Sequence, residues 1–289
     1  MMTQRARIVA SHGKSYIVEL PDDRRLSASV RGKKTHFACG DWVEVKVLNA
    51  EQAVIEKLLA RESLLYRSDL WREKLIAANV TQIVIVTAPV PSCYEELISR
   101  CLLAAEAVGI KALIVANKSD LPEFDVLRKL LQPYLALGYS MIELSAKGDI
   151  APLRHALQGE VSALVGQSGM GKSTLVNALL PGQDVRTAEI STALDSGKHT
   201  TTHASLYHLP DGGELIDSPG MQEFGLRHLK VDELTRMFPE FRPYLGECRF
   251  HNCRHKAEPG CALQAARDQG LVLPQRLSLL QALFDEVSS

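Results

Sequence analysis

Apolar and polar residues alternate in short runs over the first 60 positions. Arg7–Val9, Ser15–Leu20, Leu26–Val30, Trp42–Leu48 and Gln52–Leu58 are β-prone and are separated by His-Gly, Pro-Asp-Asp, Arg-Gly and Cys-Gly-Asp turn signals. Five such strands predict a small closed barrel, which leaves no sheet edge open. An OB-fold is the expected form; the periodicity also fits an SH3-like barrel. From about residue 80 the pattern changes. Gln82–Thr87 is a nearly continuous apolar run, as in a parallel strand covered on both faces. Leu97, Cys101, Leu102, Ala105 and Val108 then recur at helical spacing. Further strands are expected at Lys111–Ala116, Ser140–Leu144, Val161–Val165, Ala204–Leu209 and Glu214–Ile216. Helices at Val126–Leu135, Gly148–Leu157 and Thr174–Leu180 alternate with them.

The predicted fold is therefore multidomain: a barrel over 1–61, an α/β domain over 62–224 and a helical tail over 225–289. The tail opens with a short helix at Val231–Met237. It ends in an amphipathic helix, Pro274–Val287, with Leu277, Leu280, Leu283 and Phe284 along one side. It is too small for a large core of its own, and a metal crosslink would help it.

The phosphate-loop pattern is complete in Gly166-Gln167-Ser168-Gly169-Met170-Gly171-Lys172-Ser173, between a predicted strand and a helix that continues from Thr174. Its glycines let backbone N–H groups wrap phosphate oxygens, and the helix N-terminus adds its own donors. Lys172 should span the β- and γ-phosphates and Ser173 should ligate Mg²⁺. Asn117-Lys118-Ser119-Asp120 follows the strand Lys111–Ala116. The Asp120 carboxylate can accept hydrogen bonds from guanine N1–H and its 2-amino group, a donor pair adenine lacks. Lys118 can lay its methylenes along the base while its ammonium stays in water. Ser145-Ala146-Lys147 fits a second base-contacting loop. GTP and GDP, rather than ATP, are the expected ligands.

Asp217-Ser218-Pro219-Gly220 fits the switch that senses the γ-phosphate: Asp217 would hold a Mg²⁺-bound water, and the Gly220 N–H would reach that phosphate. In Gly197-Lys198-His199-Thr200-Thr201-Thr202-His203, one hydroxyl, from Thr201 or Thr202, should complete the Mg²⁺ shell. Met221 occupies the place where Ras-like enzymes orient water with a glutamine, and a thioether cannot do that. His199 is the candidate that takes over this catalytic role. The guanine loop precedes the phosphate loop, the reverse of the ordinary order, so the domain reads as a circularly permuted Ras-like GTPase. Permutation leaves such a site intact, because its loops share one sheet edge whatever their order.

Cys248, Cys253, His255 and Cys261 form Cys-x4-Cys-x-His-x5-Cys, a closed ligand set for one structural Zn²⁺. His251 is a rival to His255. Arg242, Arg249, Arg254 and Lys256 surround the cluster as a cationic rim. Cys39, Cys93 and Cys101 are isolated and read as buried thiols. The net charge of −1 excludes a uniformly cationic nucleic-acid binder. Residues 1–61 nevertheless hold eleven Lys/Arg against seven Asp/Glu, with Arg24, Arg25, Arg31, Lys33 and Lys34 close together. No apolar run reaches membrane-spanning length and no secretory signal opens the chain, so a cytoplasmic protein without membrane contact, expected as a monomer, is the simplest reading.

Taken together, these motifs resemble the small ribosomal subunit biogenesis GTPase family, called RsgA or YjeQ in bacteria. The resemblance covers nearly the whole chain. It implies a permuted GTPase that binds the 30S subunit late in assembly, contacts 16S rRNA through barrel and zinc module, and leaves on GTP hydrolysis. It also implies stimulation by the small subunit, a catalytic role for His199, and zinc ligation by Cys248, Cys253, His255 and Cys261. Two rival functions remain: a permuted GTPase of large-subunit assembly, and a nucleic-acid-binding adaptor with a vestigial nucleotide site. The order barrel, GTPase, zinc knuckle disfavours the first. Intact Lys172, Ser173, Asp217 and Asp120 disfavour the second.

Overall fold

The computed structural model describes residues 3–12, 15–30, 37–68, 73–182, 204–217, 226 and 229–288. Strands β1 (Gln4–His12), β2 (Ser15–Glu19), β3 (Arg25–Val30), β4 (Trp42–Val47) and β5 (Gln52–Leu58) form the barrel. Alternate residues point inward, as the two-residue strand period demands: Tyr16 and Val18, Leu26 and Ala28, Val43 and Val45, Ala53 and Ile55 are all buried. β1 pairs antiparallel with both β2 and β4, while β3 runs parallel to β5. The ring β1-β2-β3-β5-β4 thus closes on itself in the OB-fold manner. Buried Asp41 pins the loop ahead of β4, accepting from the Ala38 N–H at 2.7 Å and pairing with Arg61 at 2.7 Å.

A hairpin not anticipated from the sequence, β6 (Leu64–Ser68) with β7 (Glu73–Ala78), follows the barrel. Then comes the main sheet: β8 (Gln82–Thr87), β9 (Lys111–Ala116), β10 (Ser140–Glu143), β11 (Val161–Val165), β12 (Ser205–His208) and β13 (Glu214–Asp217). Its order is β10-β9-β8-β11-β13-β12, parallel except for β12. β8 is buried at every position, which explains its unbroken apolar sequence. Ile83, Ile85, Ile114 and Val165 face helix α1 (Glu95–Val108). Val84, Val86, Val115 and Leu164 face α3 (Ala151–Leu157) and α4 (Lys172–Leu179); α2 (Phe124–Ala136) joins the α1 side.

Two features tie these units together. The barrel is continuous with the main sheet, because β1 pairs antiparallel with β12 at Ala10↔Ser205. Among the described residues the tail shares its core with the main domain, in keeping with pieces too small for a large core of their own. Its elements are α5 (Val231–Leu234), the 3₁₀ turns Thr235–Met237 and Pro239–Tyr244, α6 (Ala262–Asp268) and α7 (Pro274–Ser288). Phe238, Phe241, Leu263, Leu280 and Leu283 from these elements join the core that lies on α1. Ion pairs Arg100–Glu286 (2.9 Å) and Arg242–Glu106 (2.5 Å) lock the tail to that helix. Arg276 is buried with Glu240 at 2.6 Å and lies 4.6 Å from the Phe238 ring centroid.

Candidate nucleotide site and metal centre

The phosphate loop leaves the carboxyl end of β11 and turns into α4. Its glycines are dictated by space and by backbone conformation. A Cβ on Gly166 would lie 2.4 Å from the Val86 carbonyl oxygen, and one on Gly171 (φ +93°) 2.3 Å from Asn117 Nδ2. Ser168 and Gly169 are exposed at the tip while Met170 is buried beneath it. Lys172 Nζ donates to the carbonyls of Gly166 and Gln167, both at 2.6 Å, so the loop curls around its own lysine. The Gln167 side chain turns aside and accepts the Tyr94 N–H at 2.8 Å, bracing the start of α1.

β9 and β10 are neighbours in the sheet, so the loops that leave their carboxyl ends lie side by side. Asn117, 1% exposed, joins both to the phosphate loop. Its Nδ2 donates to Met170 O at 2.8 Å, its Oδ1 accepts the Ala146 N–H at 2.9 Å, and its own N–H donates to Thr87 O at 2.8 Å. Asn117 therefore acts as a brace. Lys118 (φ +61°) keeps its ammonium at an exposed position, where Nζ also donates to Val90 O at 2.6 Å and Gly169 O at 2.7 Å. The Ser119 N–H is spent on Leu144 O at 3.1 Å.

Asp120 remains exposed, and its carboxyl is held below the usual range, chiefly by the hydroxyl of Ser145. A carboxylate thus faces a cleft of about 270 Å³ lined by Asn117, Lys118, Asp120, Ser145, Ala146 and Lys147, with Gly171 and Thr174 on the phosphate side. Leu121 also lines it and was not anticipated. Its only signal was adjacency to Asp120.

Asp217 closes β13, paired in register with Leu164 of β11, two residues before Gly166. Ser173 stands in the first turn of α4. A hydroxyl and a carboxylate are hard oxygen donors that fit Mg²⁺. The remaining switch candidates, His199, Thr201, Thr202 and Gly220, lie outside the described residues.

The cysteine cluster is assembled by a loop and the start of α6. Ligand atoms of Cys248, Cys253, His255 and Cys261 all lie within 4.8 Å of one another. Cys248 Sγ and Cys261 Sγ stand 3.5 Å and 3.3 Å from His255 Nδ1, close to the roughly 3.5 Å edge of a tetrahedron with Zn–S and Zn–N bonds. His251 is not part of the cluster. The Ala262 N–H points at Cys248 Sγ at 3.4 Å, and Gln264 Nε2 donates to His255 O at 3.2 Å, the outer support such a site needs. Glu258 ties the intervening loop, its carboxyl held down at about 2 by the N–H groups of Arg254, Lys256 and Ala257.

The predicted basic surfaces are partly neutralised. Arg24 pairs with Asp22 and Arg25 with Glu19; Arg31, Lys33 and Lys34 lie outside the described residues. Around the knuckle, Arg242 pairs with Glu106 and Lys256 with Asp285, and Arg249 lies over the Phe250 ring at 5.5 Å. Cys39 and Cys101 are buried free thiols, whereas Cys93 is only half-buried.

Residues 58–227 match the family model described as RsgA GTPase. The chain belongs to the RsgA GTPase family. It is 58% identical over 286 residues to the small ribosomal subunit biogenesis GTPase RsgA of Neisseria meningitidis serogroup B, covering 99% of this chain and 93% of that protein. The RsgA of Nitrosospira multiformis is 51% identical over 286 residues, with 99% and 91% covered. Among solved structures, YjeQ from Thermotoga maritima aligns with a TM-score of 0.73 at 30% identity, covering 100% of this chain and 99% of its own. YloQ, titled a circularly permuted GTPase, gives 0.71 at 25% identity, with 99% and 96% covered. The permuted order of the family is thus the order seen here, with β9 and β10 carrying the base loops ahead of β11 and the phosphate loop.

Proposed function

We propose that this chain hydrolyses GTP to GDP and phosphate as a late assembly factor of the 30S ribosomal subunit. On this reading it contacts 16S rRNA and leaves the subunit on hydrolysis. The observation that carries the proposal is the Asp120–Ser145 cleft joined through Asn117 to an intact phosphate loop. Relatives covering nearly its whole length bear the small-subunit name.

In this reading Asp120 selects guanine, and backbone N–H groups of 166–173 hold the α- and β-phosphates. Lys172 exchanges its loop carbonyls for phosphate oxygens. His199 orients the water that attacks the γ-phosphorus as the bond to the β,γ-bridging oxygen breaks. Ser173, Asp217 and Thr201 or Thr202 would hold Mg²⁺, which offsets charge on the β- and γ-phosphates when bound. The zinc centre, with Cys248, Cys253, His255 and Cys261 as ligands, is structural. The units are the barrel (1–61), GTPase (62–224) and zinc-bearing tail (225–289), in a monomer working in the cytoplasm; no described helix is long and apolar enough to cross a membrane.

GTP turnover measured alone, with 30S and with 50S subunits is the test. Slow intrinsic turnover stimulated by 30S alone is expected. Stimulation by 50S would favour large-subunit assembly, and no turnover at all would favour a binding adaptor. His199→Ala should lower kcat by about 100-fold or more at unchanged KM; an unchanged kcat removes it from the chemistry.

A further inference from the structure

The two strands that lead to the metal end of the site are held from outside by the barrel. β12 is the last strand of the main sheet, and β1 covers its free edge, with the Ser11 N–H donating to Ala204 O at 3.3 Å. Arg7 of β1 reaches across to Glu214 of β13, Nη1 to Oε2 at 2.6 Å, with side chains only 10% and 17% exposed. Trp42 of β4 lies against the Arg7 guanidinium, 5.0 Å from centroid to Cζ. His208 of β12 stands between two carboxylates: Nε2 is 2.6 Å from Glu19 of β2 and Nδ1 is 3.4 Å from Glu214. Beside these contacts, a Cβ on Gly40 of the barrel would lie 2.2 Å from Ala78 O and 3.2 Å from Ile216 Cδ1. Asp217 is the next residue.

We infer that Arg7, Glu19, His208 and Glu214 are positioning residues that couple the barrel to Asp217. Glu214 and Asp217 are three residues apart on one strand, about 10 Å at the rise of an extended chain. β13 is hydrogen-bonded to β11 on one side and to β12 on the other, so it shifts as a unit rather than bending locally. A displacement of β1 is therefore delivered to Asp217 through the charge pairs, and a nucleotide engaging Asp217 is felt in the barrel by the same route. The coupling free energy must be equal in both directions. This inference rests on the proposed nucleotide site and adds to it a path by which whatever the barrel binds reaches the reaction.

Hydrogen exchange on the full chain, with and without GDP and Mg²⁺, tests it. In the wild type, GDP should slow exchange in the phosphate loop and, by about fivefold or more, in residues 4–12 of β1. In Arg7→Met the phosphate-loop protection should remain while protection of β1 by GDP disappears. The reversed pair Arg7→Glu with Glu214→Arg should restore it, which a loss of mere packing would not allow. His208→Gln, at the more exposed outer pair, should weaken the effect without endangering the fold. Wild-type β1 indifferent to GDP despite a protected phosphate loop would overturn the coupling, as would an Arg7→Met protein that keeps it. No protection in the phosphate loop itself would overturn the nucleotide reading, and the coupling with it.

Discussion

Replacing Asn117 with alanine separates a bracing role from a ligand contact. The side chain donates to Met170 O and accepts from the Ala146 N–H, at 2.8 and 2.9 Å, with 1% of the residue exposed. Truncation strands a carbonyl beneath the phosphate loop and an N–H at the second base loop. The Met170 site is buried and bears the full penalty; Ala146 is half-buried, so water relieves part of its share. At about 1–3 kcal/mol for each stranded group, the sum expected for the nucleotide-free protein is about 2–4 kcal/mol. Urea unfolding without nucleotide measures it directly. Asp120→Ala is the control: the carboxylate is exposed, so the urea midpoint should be nearly unchanged while GDP binding is lost. Wild-type stability in nucleotide-free Asn117→Ala, with only GDP affinity reduced, would refute the bracing role.

Gly171→Ala forces a Cβ to 2.3 Å from Asn117 Nδ2 at a left-handed backbone position, and calorimetry should show GDP affinity lower by about 10- to 100-fold. Cys253→Ser removes one proposed zinc ligand that is not fully buried; native mass spectrometry should find the zinc gone, and the thermal midpoint should fall by about 5 °C or more. Zinc retained at full stoichiometry would dismiss the ligand set. Burial alone would raise the Glu19 carboxyl, but hydrogen bonds from Arg25 and His208 outweigh it and hold the group below its ordinary value. Its stabilisation is therefore complete above the unfolded carboxylate range, near pH ~4.3, and is lost as pH falls through the lower folded value. Glu19→Gln should flatten the acid-side decline of the urea midpoint, and an identical decline in both proteins would contradict this.

The parts of this molecule legible in the sequence are those where one residue type answers one local demand. Gly166 and Gly171 announce a loop in which a side chain would strike Val86 O or Asn117, and the alternation in β2 to β5 announces a barrel. Non-local pairing was hidden. Nothing in the sequence around Ala10 and Ser205 says that these strands meet, because an edge strand looks the same whether its neighbour is water or another strand. The hairpin Leu64–Ala78 escaped because each strand carries only a brief apolar stretch. The helix Ala262–Asp268 escaped for a related reason: Leu263 and Ala266 alone are buried, too few to set a helical period. At the nucleotide site residue identities were readable but their employment was not. Asn117 and Lys118 belong to the base-recognition motif, yet their polar atoms bind loop carbonyls and an N–H, which only the packing of neighbouring loops reveals.

Calorimetric titration of the wild-type protein with GDP and with ADP, each with Mg²⁺, bears most directly on a guanine site built from loops far apart in the chain. An exposed Asp120 carboxylate should favour GDP by about 100-fold or more, since ADP offers it no donor pair. ADP held as tightly as GDP, or neither held, would contradict the account.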